Sequence, residues 1–170
     1  MARREDGPGI VKSELLEQLR ARVDAELSAA TAAQRATQAG ATHEESRAED
    51  PKDTRGLEAT YLARGLAERV VALQNASVYL KGLELRSFGS DDEIAVTALV
   101  TLQAGPPSPP RTCFIVPLTG GFRIGVAGVE VATLTPTSPL GRALLGKVEG
   151  DEVEIQTPEG GYTASIARVR

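Results

Sequence analysis

Glycine and proline are spread so unevenly along this chain that they divide it in two. Between Ser13 and Asn75 the only proline is Pro51 and the only glycines are Gly40, Gly56 and Gly65, whereas beyond Gly82 both recur at short intervals. Proline breaks a helix interior and glycine weakens one, while tight turns between strands need both. The division predicts a helical region over residues 1–75 and a strand-rich region over residues 76–170, an α+β chain of two domains.

Within the first region the apolar residues repeat at helical spacing. Ser13 is a candidate N-cap with Glu14 favouring the positive helix end, and residues 1–12 are expected to lie outside the folded part. Leu16, Leu19, Val23 and Ala30 fall at coiled-coil spacing, with Leu15 and Leu27 widening the stripe. Alanine dominates from Ala29 to Ala39, and Gly40 is the expected stop. A second helix is expected from Asp53 or Thr54, with Ala59, Leu62, Leu66, Val70 and Leu73 as its apolar stripe. Two such helices form an antiparallel coiled-coil hairpin with residues 41–53 at its tip.

The second region changes period. "IAVTALVTL" places Ile94, Val96, Ala98, Val100 and Leu102 on one face by strict alternation, and "CFIVPL", "VEVATL", "EVEIQT" and "YTASIARV" are further strands. "QAGPPSPPR" is a stiff connection between two of them. Among these strands stands one helical signal, "PTSPLGRALLGK", with Ser138 before Pro139, then Leu140, Ala143, Leu144 and Leu145, and Gly146 as the stop.

Composition narrows the function. A formal charge of −4 and a single histidine argue against autonomous nucleic-acid binding and against a Ser-His-Asp or Cys-His arrangement. His43 has no second histidine or cysteine to share a zinc ion, and the lone Cys113, beside Phe114 and Ile115, is expected in the core. "GGFRIGVAG" lacks the spacing and the strand-to-helix context of a phosphate loop. No apolar run is long enough for a membrane span, and "MARREDGPGI" lacks the apolar middle of a signal peptide, so a cytoplasmic protein is expected.

The stretch from Val129 to Arg170 resembles the C-terminal domain of the Gre family of bacterial transcript cleavage factors. That family carries a strand, a Ser-Pro helix close to "SPIARALIGK", an acidic turn close to "EGDEVEV" and a closing hairpin, and this chain has "SPLGRALLGK" and "EGDEVEI" in the same order. The helical hairpin upstream fits the family's two-domain plan. The resemblance implies an FKBP-like antiparallel sheet with one short helix, docked on the secondary-channel rim of bacterial RNA polymerase. Ser138, Pro139, Leu140 and Gly141 would meet the polymerase. It also implies a monomer that touches DNA and the nascent RNA 3′ end only within the transcription complex.

The same resemblance implies acid at the hairpin tip. Tip carboxylates would share the polymerase's Mg²⁺, the chain having no cofactor of its own, because a hard cation prefers oxygen ligands. "HEESRAEDPKD" supplies candidates. Asp50 and Asp53 are the first pair to assist catalysis and hold metal, Glu49 comes next, and Glu58 is an alternative. The family's Asp-x-x-Glu followed by "NAEY" is absent, and Asp50-x-x-Asp53 then "TRGLEATY" stands in its place. The leading expectation is a factor that stimulates polymerase to cleave backtracked RNA without being an enzyme itself. A Gre-fold inhibitor of the same channel, a peptidyl-prolyl isomerase and a coiled-coil adaptor are the alternatives.

Overall fold

The computed structural model describes residues 9–45, 54–105, 107–157 and 160–170. The chain forms two compact units, one of Arg20–Gly82 and one that joins the segment up to Leu19 with Leu83–Arg170.

The helical unit contains most of α1 (Lys12–Glu45) and all of α2 (Thr54–Lys81). Three polar links fix their antiparallel direction: Arg20 donates to the Leu80 carbonyl, Ser77 donates to Asp24 at 2.6 Å, and Arg69 pairs with Glu26 at 2.6 Å. On these helices Val23 and Ala30 of α1 and Val70, Leu73, Ala76 and Leu80 of α2 are buried. Gly40 does not stop α1, which continues to Glu45. A single helical glycine costs about 1 kcal/mol, which the surrounding alanine-rich turns tolerate. Leu62, expected in the apolar stripe, is 58% exposed, because the seam runs from half-buried Leu66 through buried Val70, Leu73, Ser77 and Leu80.

The helix also starts earlier than Ser13. Leu15 N–H bonds to the Val11 carbonyl, α1 opens at Lys12, and Ile10 is buried, so the residues from 9 onward are part of the fold. The division expected between residues 75 and 76 falls inside α2, whose last buried residue is Leu80.

In the other unit six strands form one sheet: β1 (Leu99–Ala104), β2 (Arg111–Ile115), β3 (Arg123–Val126), β4 (Val129–Leu134), β5 (Glu152–Thr157) and β6 (Gly160–Val169). Their order across the sheet is β3-β4-β2-β1-β6-β5. The sheet is mixed where an antiparallel one was expected, since β2 and β4 run parallel. The reason is β3, which hairpins onto β4 and takes the outer edge. Its turn has positive φ at both Ala127 (50°) and Gly128 (77°), as a two-residue hairpin of matching twist requires.

The alternating run from Ile94 is only half a strand. Ile94, Ala98, Val100 and Leu102 all enter one core, yet Thr97 has φ 71° and its N–H bonds to the Ile115 carbonyl. That left-handed residue breaks the ladder, so β1 begins at Leu99. The core on this face contains Cys113, Ile115, Leu144, Val153, Ile155, Ala164 and Ile166.

Candidate functional site

The short helix α3 (Pro139–Leu144) seals this core and presents its N-terminal entrance to solvent. Leu144 is fully buried, and Leu140, Ala143 and Leu145 pack partly against the cluster. The entrance is built by one hydroxyl. Ser138 Oγ donates to the Thr135 carbonyl at 2.8 Å and accepts from Gly141 N–H at 3.0 Å, which satisfies one of the N–H donors a helix start leaves free. Pro139 takes the first helical position, where its missing N–H costs nothing, and is itself exposed. Arg142 reaches back to the Thr137 carbonyl at 2.5 Å.

Gly141 is buried, and its role is close approach. A Cβ at this position would stand 2.0 Å from the Thr135 carbonyl oxygen. Of the four residues expected to meet a partner, Pro139 is exposed, Ser138 and Leu140 are half-buried, and Gly141 supports them from beneath.

A second segment meets this entrance. Gly120 lies against Thr135, where a Cβ would come 2.9 Å from the threonine methyl, and Gly121 with φ 88° bonds to the Thr133 carbonyl. Leu118, Phe122, Leu134, Thr135 and Ser138 line a groove of about 610 Å³. Leu118 is 53% exposed at its rim. The glycine-rich "GGF" is thus a wall of the α3 entrance and not a phosphate loop. Sequence spacing could not place it there, since β3 and β4 bring it back from outside the local window.

The acidic turn after α3 is structural. Val148 N–H bonds to Asp151 Oδ2, Val169 N–H bonds to Glu149 Oε2, and Gly150, with φ 99°, donates to the Ile166 carbonyl. These carboxylates satisfy backbone donors at the end of the sheet.

Cys113 is fully buried, and burial pushes its thiol up to about 11 against the opposing pull of Arg111. A thiol held so far above neutral pH supplies almost no thiolate nucleophile. Phe88, Phe122 and Tyr162 line three different cavities, and Phe114 is fully buried, so no aromatic pocket for a prolyl substrate is assembled from them.

Asp50, Asp53 and Glu49 lie outside the described residues. Glu58 is exposed on α2. Among the described residues no three of the His, Cys, Asp and Glu side chains are grouped to hold a metal ion, and no helix is long and apolar enough to cross a membrane.

Comparison with known proteins points to one family. Residues 127–170 match the family described as transcription elongation factor, GreA/GreB, C-terminal. A transcription elongation factor GreA of Syntrophobacter fumaroxidans is 43% identical over 44 residues, which span 26% of this chain and 28% of that protein. One of Maridesulfovibrio salexigens is 29% identical over 122 residues, 71% of each chain. The crystal structure of Thermus aquaticus Gfh1 aligns over 88% of this chain and 92% of its own at 17% identity, with a TM-score of 0.41.

Proposed function

Because residues 127–170 match the GreA/GreB C-terminal family, we propose that the chain is a Gre-type transcription elongation factor that binds bacterial RNA polymerase at its secondary channel. The observation that carries this reading is the α3 entrance. The Ser138 cap, the exposed Pro139 and the Gly146 stop stand in the matched segment, and an apolar groove opens beside them. Ser138 orients the turn, Pro139 presents a rigid apolar face, and Leu118 with Phe122 extends that face toward a partner. Gly141 contributes by letting Thr135 close under the helix.

The hairpin would enter the channel with its acidic tip leading. Asp50 and Asp53, with Glu49 beside them and Glu58 as the alternative, would offer carboxylate oxygens to the polymerase's Mg²⁺. Those carboxylates would hold the ion, and the chemistry it would supply is stabilisation of the charge that develops as water attacks the nascent RNA. The chain's own part is to bring charge and orientation, and the polymerase performs the cleavage.

Stalled polymerase complexes with a backtracked RNA test this directly. The chain is expected to shorten the RNA from its 3′ end, and Asp50→Asn with Asp53→Asn is expected to abolish that cleavage without reducing affinity for polymerase. Cleavage that survives the double variant but is lost on substituting Glu49 or Glu58 would reassign the carboxylates. The tip departs from the family's Asp-x-x-Glu and "NAEY" string, which favours a channel inhibitor as the second reading. Block of cleavage by another factor, with none stimulated by this chain, would establish it.

A further inference from the structure

The helix α2 carries two heptad stripes, and the hairpin uses only one. The covered seam runs from half-buried Leu66 through buried Val70, Leu73, Ser77 and Leu80. On the opposite side Leu57, Tyr61, Arg64, Glu68, Val71, Asn75 and Val78 follow one another by alternating steps of four and three. This is the 3.5-residue period of a helix–helix seam. Its apolar members are strongly exposed: Leu57 58%, Tyr61 65%, Val71 54% and Val78 72%. Single exposed apolar side chains are ordinary on a surface, but four in heptad register along about 30 Å of helix are not.

We propose that this outer stripe is a self-association surface, on which α2 of a second copy packs antiparallel about a two-fold axis. The charges select the occupant. Arg64 and Glu68 form an exposed pair at 2.9 Å on one helix, in the middle of the stripe. In an antiparallel pair of the same stripe, one register sets Arg64 opposite the partner's Glu68 and Glu68 opposite the partner's Arg64. It also sets Tyr61 opposite the partner's Val71 in both symmetric positions. A shift by one heptad would instead place Glu68 against the partner's Val71, a charge against an apolar group. Two-fold symmetry is thus compatible with the sequence in the register that pairs both charges, which also sets Leu57 opposite the partner's Asn75.

The flanks permit the approach. Gly65 and Ala72 border the stripe on one side and Ala67 on the other, and a Cβ at Gly65 would meet no atom within 4 Å. Small flanking residues let two helix axes come close enough for the seam to interdigitate. The expected assembly is a weak dimer, since its centre is charged and only part of its length is apolar. This inference does not depend on the polymerase reading, and it departs from the monomer expected from sequence.

Sedimentation equilibrium of the full chain over a wide concentration range tests it. The unaltered chain should self-associate to a dimer. Arg64→Glu and Glu68→Arg, each alone, should weaken self-association about tenfold or more, because each sets two like-charge pairs across the axis. Mixing the two variants should restore assembly as a heterodimer, since each charge then faces its opposite. Circular dichroism of each variant checks that α2 still folds. A chain that stays monomeric at all concentrations overturns the proposal. So does self-association that neither variant weakens, or two folded variants that fail to combine.

Discussion

The helical unit and the sheet unit are held by different kinds of constraint. Along the hairpin the buried seam is one stripe of small and medium residues, closed by a few polar links such as Asp24 with Ser77 and Arg69 with Glu26. Such a seam accepts any residue of suitable size, and α2 accordingly carries a second stripe on its other side. Around α3 the constraints converge on single atoms. One hydroxyl bonds two backbone groups, and one glycine admits one carbonyl. A periodic interface tolerates change and invites partners, whereas a converging one enforces a single geometry.

Substitutions that treat the two units alike should therefore have unlike results. The largest effect is expected from Leu144→Asp. An unpaired carboxylate in the place of a fully buried leucine should cost about 3–5 kcal/mol. Amide exchange should show protection lost across β1 and β6 while the helical amides around Val23 and around Val70 stay protected. Loss of protection in both units together would mean that they do not fold as separate bodies.

The sharpest comparison is one change made twice. Gly141→Ala should destabilise the sheet unit by about 1–3 kcal/mol, because the new methyl overlaps the Thr135 carbonyl. Gly65→Ala should stabilise the hairpin by up to about 1 kcal/mol, because that position is helical with open space around it. Opposite signs in thermal unfolding are the expected result, and equal signs would dissolve the distinction.

The smallest effect is a pH dependence confined to the sheet unit. Lys12 donates to the carbonyls of Arg86 and Thr97 and stands 4.9 Å from the Phe88 ring, with the Arg86 guanidinium 5.0 Å from the same ring. Burial and then the Arg86 charge lower its pKa from 10.5 to about 8. The unfolded chain therefore binds more protons than the folded one between those values, and stability should rise with pH from about 8. Both carbonyl bonds can survive, because a neutral amine still has two N–H donors. Cys113 acts in the opposite sense, since its raised pKa makes stability fall from 9.0 to about 11. The rise should be visible from pH 8 to 9 and absent in Lys12→Met, with denaturant midpoints as the measurement.

Sequence alone determined whatever is encoded within a few adjacent residues. The glycine and proline division separated helix from sheet. Val23, Ala30, Val70 and Leu73 marked the seam by their period, and Ser138, Pro139 and Gly146 bounded α3, because a cap, a fixed φ and a left-handed stop are local chemistry. Tertiary structure decided what depends on partners far along the chain. It turned Thr97 out of the strand that alternation predicted, and it set β2 beside β4 in parallel. It also brought Gly120 against Thr135 and made Gly141 a steric necessity. Of the two stripes on α2, it buried one and left the other in water. Periodicity records that a helix has an apolar face, but only packing selects which face is covered and by what.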